Sequence, residues 1–338
     1  MLTFGSLFAG VGGADLGFEA AGMTCGFQVE KDPECQSVLD FHWPDVPLYG
    51  DITEISGADL PPVDVIVYGF PCQDLSIAGA RAGLDGERSV LFFEAIRIIS
   101  EMLEATDGKF PKWAVAENVI GLLSADEGEA MARCLETLAE AGALVSEWCV
   151  LDAQFFGVPQ RRRRVFLASV FDPSIAENCP IEIFPLAPSK SGNPPTSITP
   201  KQATPPIARE GSQGSRFKDG VTDTEFSVET FRLRAFGDYV EDVVASPVLS
   251  RDYKYASDLV SEIEIDPDTG EPDFTSVRIR GMTALECERM QGWPDNHTRW
   301  IADGVEQHET PRMKQIGNGV AAPVAEWIAR QIMKASEI

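Results

Sequence analysis

The sharpest chemical signal in the chain is Cys72, set in Gly69-Phe70-Pro71-Cys72-Gln73 directly after the apolar run 63–68. That run is bounded by Pro61, Pro62 and Gly69 and reads as a strand buried on both faces. Open α/β sheets place their sites at the carboxyl edge of such strands. A cysteine on a proline-bounded turn there is held rigid and exposed, which suits a nucleophile. A free thiol ionises only near about 8.5, so positive charge or a helix end nearby must help it. The stretch that follows, LSIAGARAGLDGERS, is punctuated by Gly79, Gly83 and Gly86. A loop of that kind can close over a bound substrate. Cys25, Cys35, Cys134 and Cys149 read instead as buried structural thiols.

Three further groups have types and positions that could join such chemistry. Glu117, in Glu117-Asn118-Val119, ends the apolar strand 113–116. A carboxyl group beside a thiol and a heterocycle can protonate or hydrogen-bond a ring nitrogen. Gln160-Arg161-Arg162-Arg163-Arg164 enters a strand, and alternation puts Gln160, Arg162 and Arg164 on one face, with Arg161 and Arg163 on the other. One set can reach a substrate while the other meets solvent or phosphate. Phe8-Ala9-Gly10-Val11-Gly12-Gly13 lies between a strand and a helix, where glycines let the backbone turn tightly and approach a ligand faced by the helix N-terminus. Glu30 ends the next strand about 20 residues later, placed to accept hydrogen bonds from ribose hydroxyls. Together they predict a nucleoside-containing cofactor. Asp51 is another acid where a third strand would end.

The elements that must position these groups alternate strand and helix, the rhythm of a wound α/β sheet. Strands are expected at 2–7, 24–29, 63–68, 113–116, 146–151 and 165–170, and helices at 13–21, 32–41, 91–103 and 129–141. Near Asp172 the character changes. The chain becomes rich in Pro, Ser, Thr and Gly, with short β-like pieces around 226–236 and 243–249 and no clear helix. Regular patterning returns from Val277, with helices expected at 284–291 and 324–335. A division follows: 1–171, a smaller loop-rich and partly β segment at 172–277, and a return at 278–338.

Composition bounds the function. A chain of 338 residues with 44% hydrophobic residues buries a real core. No window approaches the roughly 18 apolar residues of a membrane span. Nothing marks export, so a cytoplasmic location is expected. Seven cysteines without a CxxC pair, and three scattered histidines, fit reduced thiols and predict no metal site. The net charge of −25 is repelled by phosphates, so nucleic-acid binding requires the basic residues to concentrate on one face. A saline cytoplasm would tolerate so acidic a surface, a hypothesis that highest activity at low salt would overturn.

In order, FAGVGG, Glu30, GDI (Gly50-Asp51-Ile52), GFPCQ, ENV and PQRRRR strongly resemble the motifs of the DNA cytosine-5 methyltransferases. The match resumes with Arg280 and the stretch 286–294 (ECERMQGWP), and finishes at Gln315-Ile316-Gly317-Asn318-Gly319-Val320. The resemblance implies a Rossmann-like S-adenosylmethionine-dependent methyltransferase sheet, with residues 172–277 as the target-recognition domain. It implies that Cys72 adds to C6 of a flipped-out cytosine, that Glu117 contacts N3 and the exocyclic amine, and that Arg162 and Arg164 support the base. Phe8, Ala9, Gly10, Gly12, Gly13, Glu30, Asp51, Ile52, Pro71 and Asn318 would hold S-adenosylmethionine. Gln73, Ser76 and Gln160 would contact the substrate. Lys31 departs from the pattern, since many relatives carry there an apolar or aromatic residue that packs on adenine. Double-stranded DNA is the implied partner, and the resemblance allows a cognate restriction endonuclease acting separately.

Two rival readings stay in view. An RNA-directed branch of the same fold methylates cytosine in tRNA, though its members tend to have a shorter second domain. A catalytically silent DNA-binding protein would have no need of a nucleophile at Cys72. Amino-group methyltransferases carry [DNS]PP[YFW] where GFPC stands here.

Overall fold

The computed structural model describes residues 1–70, 90–178, 184, 226–235, 238–241, 245–249, 258–265 and 272–337. A seven-stranded sheet forms its centre, in the order β3-β2-β1-β4-β5-β7-β6. The strands are β1 (Thr3–Leu7), β2 (Thr24–Val29), β3 (Leu48–Tyr49), β4 (Val65–Gly69), β5 (Trp113–Val119), β6 (Val145–Asp152) and β7 (Arg163–Val170). The first five run parallel, and β7 is inserted antiparallel between β5 and β6. Because β1 pairs with both β2 and β4, the strand order reverses there. A doubly wound sheet opens a crevice outside the carboxyl ends of its strands at such a reversal.

Strand β4 shows why a continuous apolar run was needed. Val65 and Val67 pack into one apolar cluster, Ile66 and Tyr68 into another on the opposite face. The first cluster is closed by α1 (Gly13–Ala20) and the final helix α8 (Ala322–Ser336), the second by α3 (Val90–Ala105) and α4 (Glu129–Glu140). Helices α1 and α8 touch so closely at Gly17 that a Cβ there would lie 2.5 Å from the Ala322 carbonyl oxygen. Helix α2 (Pro33–His42) starts on Asp32, whose carboxylate accepts the Glu34 N–H, with proline at the first helical position. None of the described helices is long and apolar enough to cross a membrane.

The chain after 172 carries more regular structure than its composition predicts. Helix α5 (Pro173–Asn178) continues from β7, and Ile175 and Phe184 join the core beneath the sheet. A second sheet of four antiparallel strands has the order β11-β10-β8-β9, formed by β8 (Phe226–Ala235), β9 (Asp238–Glu241), β10 (Asp258–Ile265) and β11 (Pro272–Gly281). The piece expected at 226–236 is β8. Residues 245–249 form no strand, and Ala245 makes an isolated β-bridge to Gln160. Helix α6 (Ala284–Met290) starts on a capping box between Thr283 and Glu286. A small hairpin, β12 (Trp300–Ile301) and β13 (Val305–Glu306), precedes α7 (Glu309–Asn318). Helix α7 is absent from the sequence expectations because its only strong apolar contacts are Met313 and Ile316.

Candidate active site

The reversal point between β1 and β4 opens into a cavity of about 460 Å³. Phe8, Ala9, Gly10 and Gly13 form one wall, Glu30 and Asp32 an end, and Gly69, Phe70, Glu117 and Arg164 the opposite side. Gly317, Asn318 and Gly319 cover it from α7 and the turn after it. Residues expected from five separate segments thus meet in one space.

The glycine turn is built by backbone geometry. Phe8, Gly10 and Gly12 all have positive φ, at 56, 58 and 80°. That region is open to glycine and strained for phenylalanine. Among the described residues, no neighbour stands within 4 Å of a Cβ placed on Gly10, so the turn faces open space. Glu30 holds it: one carboxylate oxygen accepts the Gly10 N–H at 2.7 Å and the other accepts the Asp32 N–H at 2.8 Å. Burial pushes the Glu30 carboxyl up, and those N–H donors work against the shift. Each oxygen keeps a second lone pair, so the group can also accept hydroxyl hydrogens from a ligand.

Across the cavity, Glu117 Oε1 lies 3.0 Å from Arg164 Nε. Burial raises the Glu117 carboxyl, and the charges of Arg164 and Arg162 pull it back down. Beside it, Asn118 Nδ2 donates to the Phe70 carbonyl at 2.7 Å. This fixes the chain one residue before Pro71, next to Glu117, and gives the second residue of the Glu117-Asn118-Val119 motif a positioning contact that the sequence alone does not assign to it. Arg162 is buried and donates to three main-chain oxygens, those of Val248, Gly317 and Gly319. Burial and the neighbouring Arg164 lower its guanidinium to about 9, so it remains charged at neutral pH. Arg163, on the other face of the strand, is exposed, as alternation predicts.

Several expected residues stand elsewhere. Gln160 is completely buried; its side-chain N–H donates to Met290 O at 2.8 Å and its side-chain oxygen accepts from Val248 N at 3.0 Å. It therefore joins three chain segments and, unlike Arg162 and Arg164, does not line the cavity. Gly12 lies under the ring of Trp43 rather than on the cavity wall. Ile52 is core, and Asp51 caps a short helical turn while pairing with Lys31 at 2.6 Å; neither lines the cavity. Lysine at position 31 therefore answers an acid rather than an aromatic ring. Cys25 and Cys134 are buried as expected, whereas Cys149 is half-buried and Cys35 lines the cavity. Pro71, Cys72, Gln73 and Ser76 lie outside the described residues. Lys314 and Gln315 also line the cavity, although Lys314 lies outside the quoted motifs and Gln315, which opens the last of them, is not assigned to the site by the sequence. Their signal was their place three and four residues before Asn318, one helical turn away.

The cavity suits a nucleoside with a charged tail: an acid at one end, a glycine turn open to close approach, and apolar walls from Leu7, Phe8 and Tyr68. The profile of the C-5 cytosine-specific DNA methylases matches residues 2–334. A type II methyltransferase of Bacillus subtilis, M2.BsuMI, is 30% identical over 331 residues, covering 97% of this chain and 74% of that protein. A DNA N-6-adenine-methyltransferase of Escherichia phage P1 is 26% identical, over 99% of this chain and 61% of that one. The S. pombe Dnmt2 methyltransferase has the same fold, with a TM-score of 0.65 at 15% identity over the whole of both chains.

Proposed function

The chain belongs to the family of C-5 cytosine-specific DNA methylases, and from that premise we propose that it methylates C5 of a cytosine flipped out of a specific duplex sequence, through a covalent bond to Cys72. The observation that carries this reading is the arrangement of one cavity. Glu30 and the glycine turn stand at one side, and Glu117 and Arg164 at the other, where β4 leads through Phe70 towards Pro71 and Cys72.

The family implies S-adenosylmethionine as cofactor. Phe8, Ala9, Gly10, Glu30 and Asn318 would hold it; when bound it supplies an electrophilic methyl group. The Cys72 thiolate adds to C6 of the cytosine, moving an electron pair towards C5. Glu117, whose carboxyl is raised by burial, donates in its protonated form to ring N3 and accepts from the exocyclic amine, which stabilises the adduct. Arg164 holds the Glu117 carboxyl in place. Arg162 fixes the Gly317–Gly319 turn behind the cofactor site. Once C5 is methylated, loss of its proton and elimination of Cys72 restore the aromatic ring and the thiolate. Extruding the base costs a few kcal/mol, and residues 172–277 would offset it as the target-recognition domain. Arg161 and Arg163, at the same sheet edge, give this acidic chain a local basic surface for phosphates.

The experiment combines purified protein, labelled S-adenosylmethionine and unmethylated duplex DNA over a range of salt, with Cys72→Ser as control. Sequencing the product for 5-methylcytosine and N6-methyladenine separates this reading from the activity named for the phage P1 relative. That alternative lacks its motif here, since GFPC stands in place of [DNS]PP[YFW]. Cytosine methylation at one short site, abolished in the control, is expected. Transfer to tRNA and not to DNA would overturn the reading.

A further inference from the structure

Two contacts reach the glycine turn from a segment nearly 300 residues away in sequence, one from His297 and one from Trp293. His297, buried, donates from Nε2 to the Val11 carbonyl at 2.7 Å. His42, at the end of α2, donates from its own Nε2 to the His297 carbonyl at 2.6 Å, and the two rings stack with centroids 4.2 Å apart at 18°. The Trp293 ring lies against Gly13 and Gly319, so close that a Cβ on either would fall within 2.7 Å of it. Its indole N–H donates to the Val320 carbonyl at 2.9 Å.

Three N–H groups of the turn have partners nearer in sequence. Ala9 N–H donates to Val29 O, Gly12 N–H to Ala9 O, and Gly10 N–H to the Glu30 carboxylate. The Val11 carbonyl instead looks outward to His297. The turn is thus pinned at two successive residues from opposite sides, by a carboxylate on Gly10 N–H and by an imidazole on Val11 C=O. The pinned pair is flanked and shared by glycines in the left-handed region, Gly10 and Gly12, whose backbone has little conformational restraint of its own.

We propose that His297 is a positioning residue for the cofactor: its hydrogen bond to the Val11 carbonyl sets the glycine turn in the shape that receives S-adenosylmethionine. This rests on the cofactor reading of the cavity given above. Among the described residues His297 Nδ1 has no partner, and burial with the neighbouring His42 lowers the imidazole to about 4, so the ring is neutral with its proton on Nε2. A neutral donor there does not add charge beside the cationic cofactor. The segment that carries His297 follows directly from β11 and α6, so the last strand of the second sheet leads into the group that holds the cofactor turn.

The test compares wild type, His297→Phe and His297→Gln in the full chain, measuring S-adenosylhomocysteine binding by calorimetry and steady-state kinetics. Phenylalanine keeps the ring but removes the donor; glutamine returns an N–H at the corresponding reach. His297→Phe is expected to weaken S-adenosylhomocysteine binding and raise KM for S-adenosylmethionine about tenfold, with kcat and KM for DNA within about twofold. His297→Gln is expected to recover most of the loss. Unchanged cofactor binding in the phenylalanine variant, or a glutamine variant as weak as phenylalanine, would overturn the proposal. Should the phenylalanine variant not fold, nitrogen-15 spectra of wild-type histidines give an independent reading. The His297 imidazole signals are expected to shift when S-adenosylhomocysteine is added, and unmoved signals would sink the idea. Failure of wild type itself to bind S-adenosylhomocysteine would overturn the underlying cofactor reading instead.

Discussion

Glu117 and Arg164 meet diagonally across the antiparallel pair β5–β7, two register positions apart, with Glu117 Oε1 3.0 Å from Arg164 Nε and each side chain 16% exposed. Two opposed influences meet on the carboxyl group. Burial favours its neutral form, and the guanidinium favours the carboxylate. The net direction is upward, in keeping with the proposed role of Glu117 in lending a proton to a ring nitrogen.

Removing the Arg164 guanidinium should leave burial of Glu117 opposed only by the charge of Arg162. Arg164→Ala is expected to lower kcat about a hundredfold, within the range for loss of a positioned acid. If Glu117 acts in its protonated form, the falling limb of the rate at high pH marks its titration, and that limb should move to higher pH in the variant. A kcat–pH profile of both proteins checks this. A falling limb that stays in place would separate Glu117 from the rate.

Much of this arrangement was legible in the sequence, because the groups concerned end strands. Strand alternation alone puts Arg162 and Arg164 on one side and Arg163 on the other, and continuous apolarity alone identifies β4. Two features were not legible. Gln160 has the right phase for the cavity, but a segment 85 residues later reaches back to pair Ala245 with it and takes its side-chain oxygen. No local pattern signals so distant a partner. The tie between His297 and Val11 was hidden for the same reason, since it spans 286 positions. Helix α7 escaped notice because its buried residues include Arg312, Gln315 and Gly317, so no apolar stripe shows.

Arg162 illustrates how buried charge can be structural. Its guanidinium satisfies the carbonyls of Val248, Gly317 and Gly319, which belong to two different segments. A lysine ammonium is a compact point charge and lacks the planar fork needed to span them. Arg162→Lys is therefore expected to cost about 2–4 kcal/mol, as buried carbonyls and a displaced charge lose partners. Urea unfolding measures the loss, and weaker S-adenosylhomocysteine binding should accompany it because Asn318 sits between two of the carbonyls. A lysine variant within about 0.5 kcal/mol of wild type would show that the three contacts contribute little.

A last prediction concerns Asp15, which the reaction does not use. It is completely buried under the glycine turn, accepting from Gln28 Nε2 at 2.7 Å and Ser6 Oγ at 3.1 Å. Burial raises its carboxyl to about 6, against which those two donors pull. Between about 4 and 6 the folded protein therefore holds a proton that the unfolded chain has released. By linkage, the stability from this group is full below pH 4 and falls as pH rises through 6. Holding the carboxyl that far above its ordinary range is worth about 3 kcal/mol. Asp15→Asn cannot ionise, so the difference in unfolding free energy between variant and wild type should move by about that amount in the variant's favour from pH 4 to pH 7. His297, lowered to about 4, contributes in the opposite sense between about 4 and 6.5. It is present in both proteins and cancels from the difference. Any loss from rearranged donors at Ser6, at Gln28 and at Cys25, whose thiol also points to Asp15 Oδ1 at 3.8 Å, adds a constant offset, since none of these groups titrates in that window. Urea unfolding at half-unit steps of pH measures the slope, and a difference that stays flat from pH 4 to 7 would mean that Asp15 is ionised in the folded protein throughout.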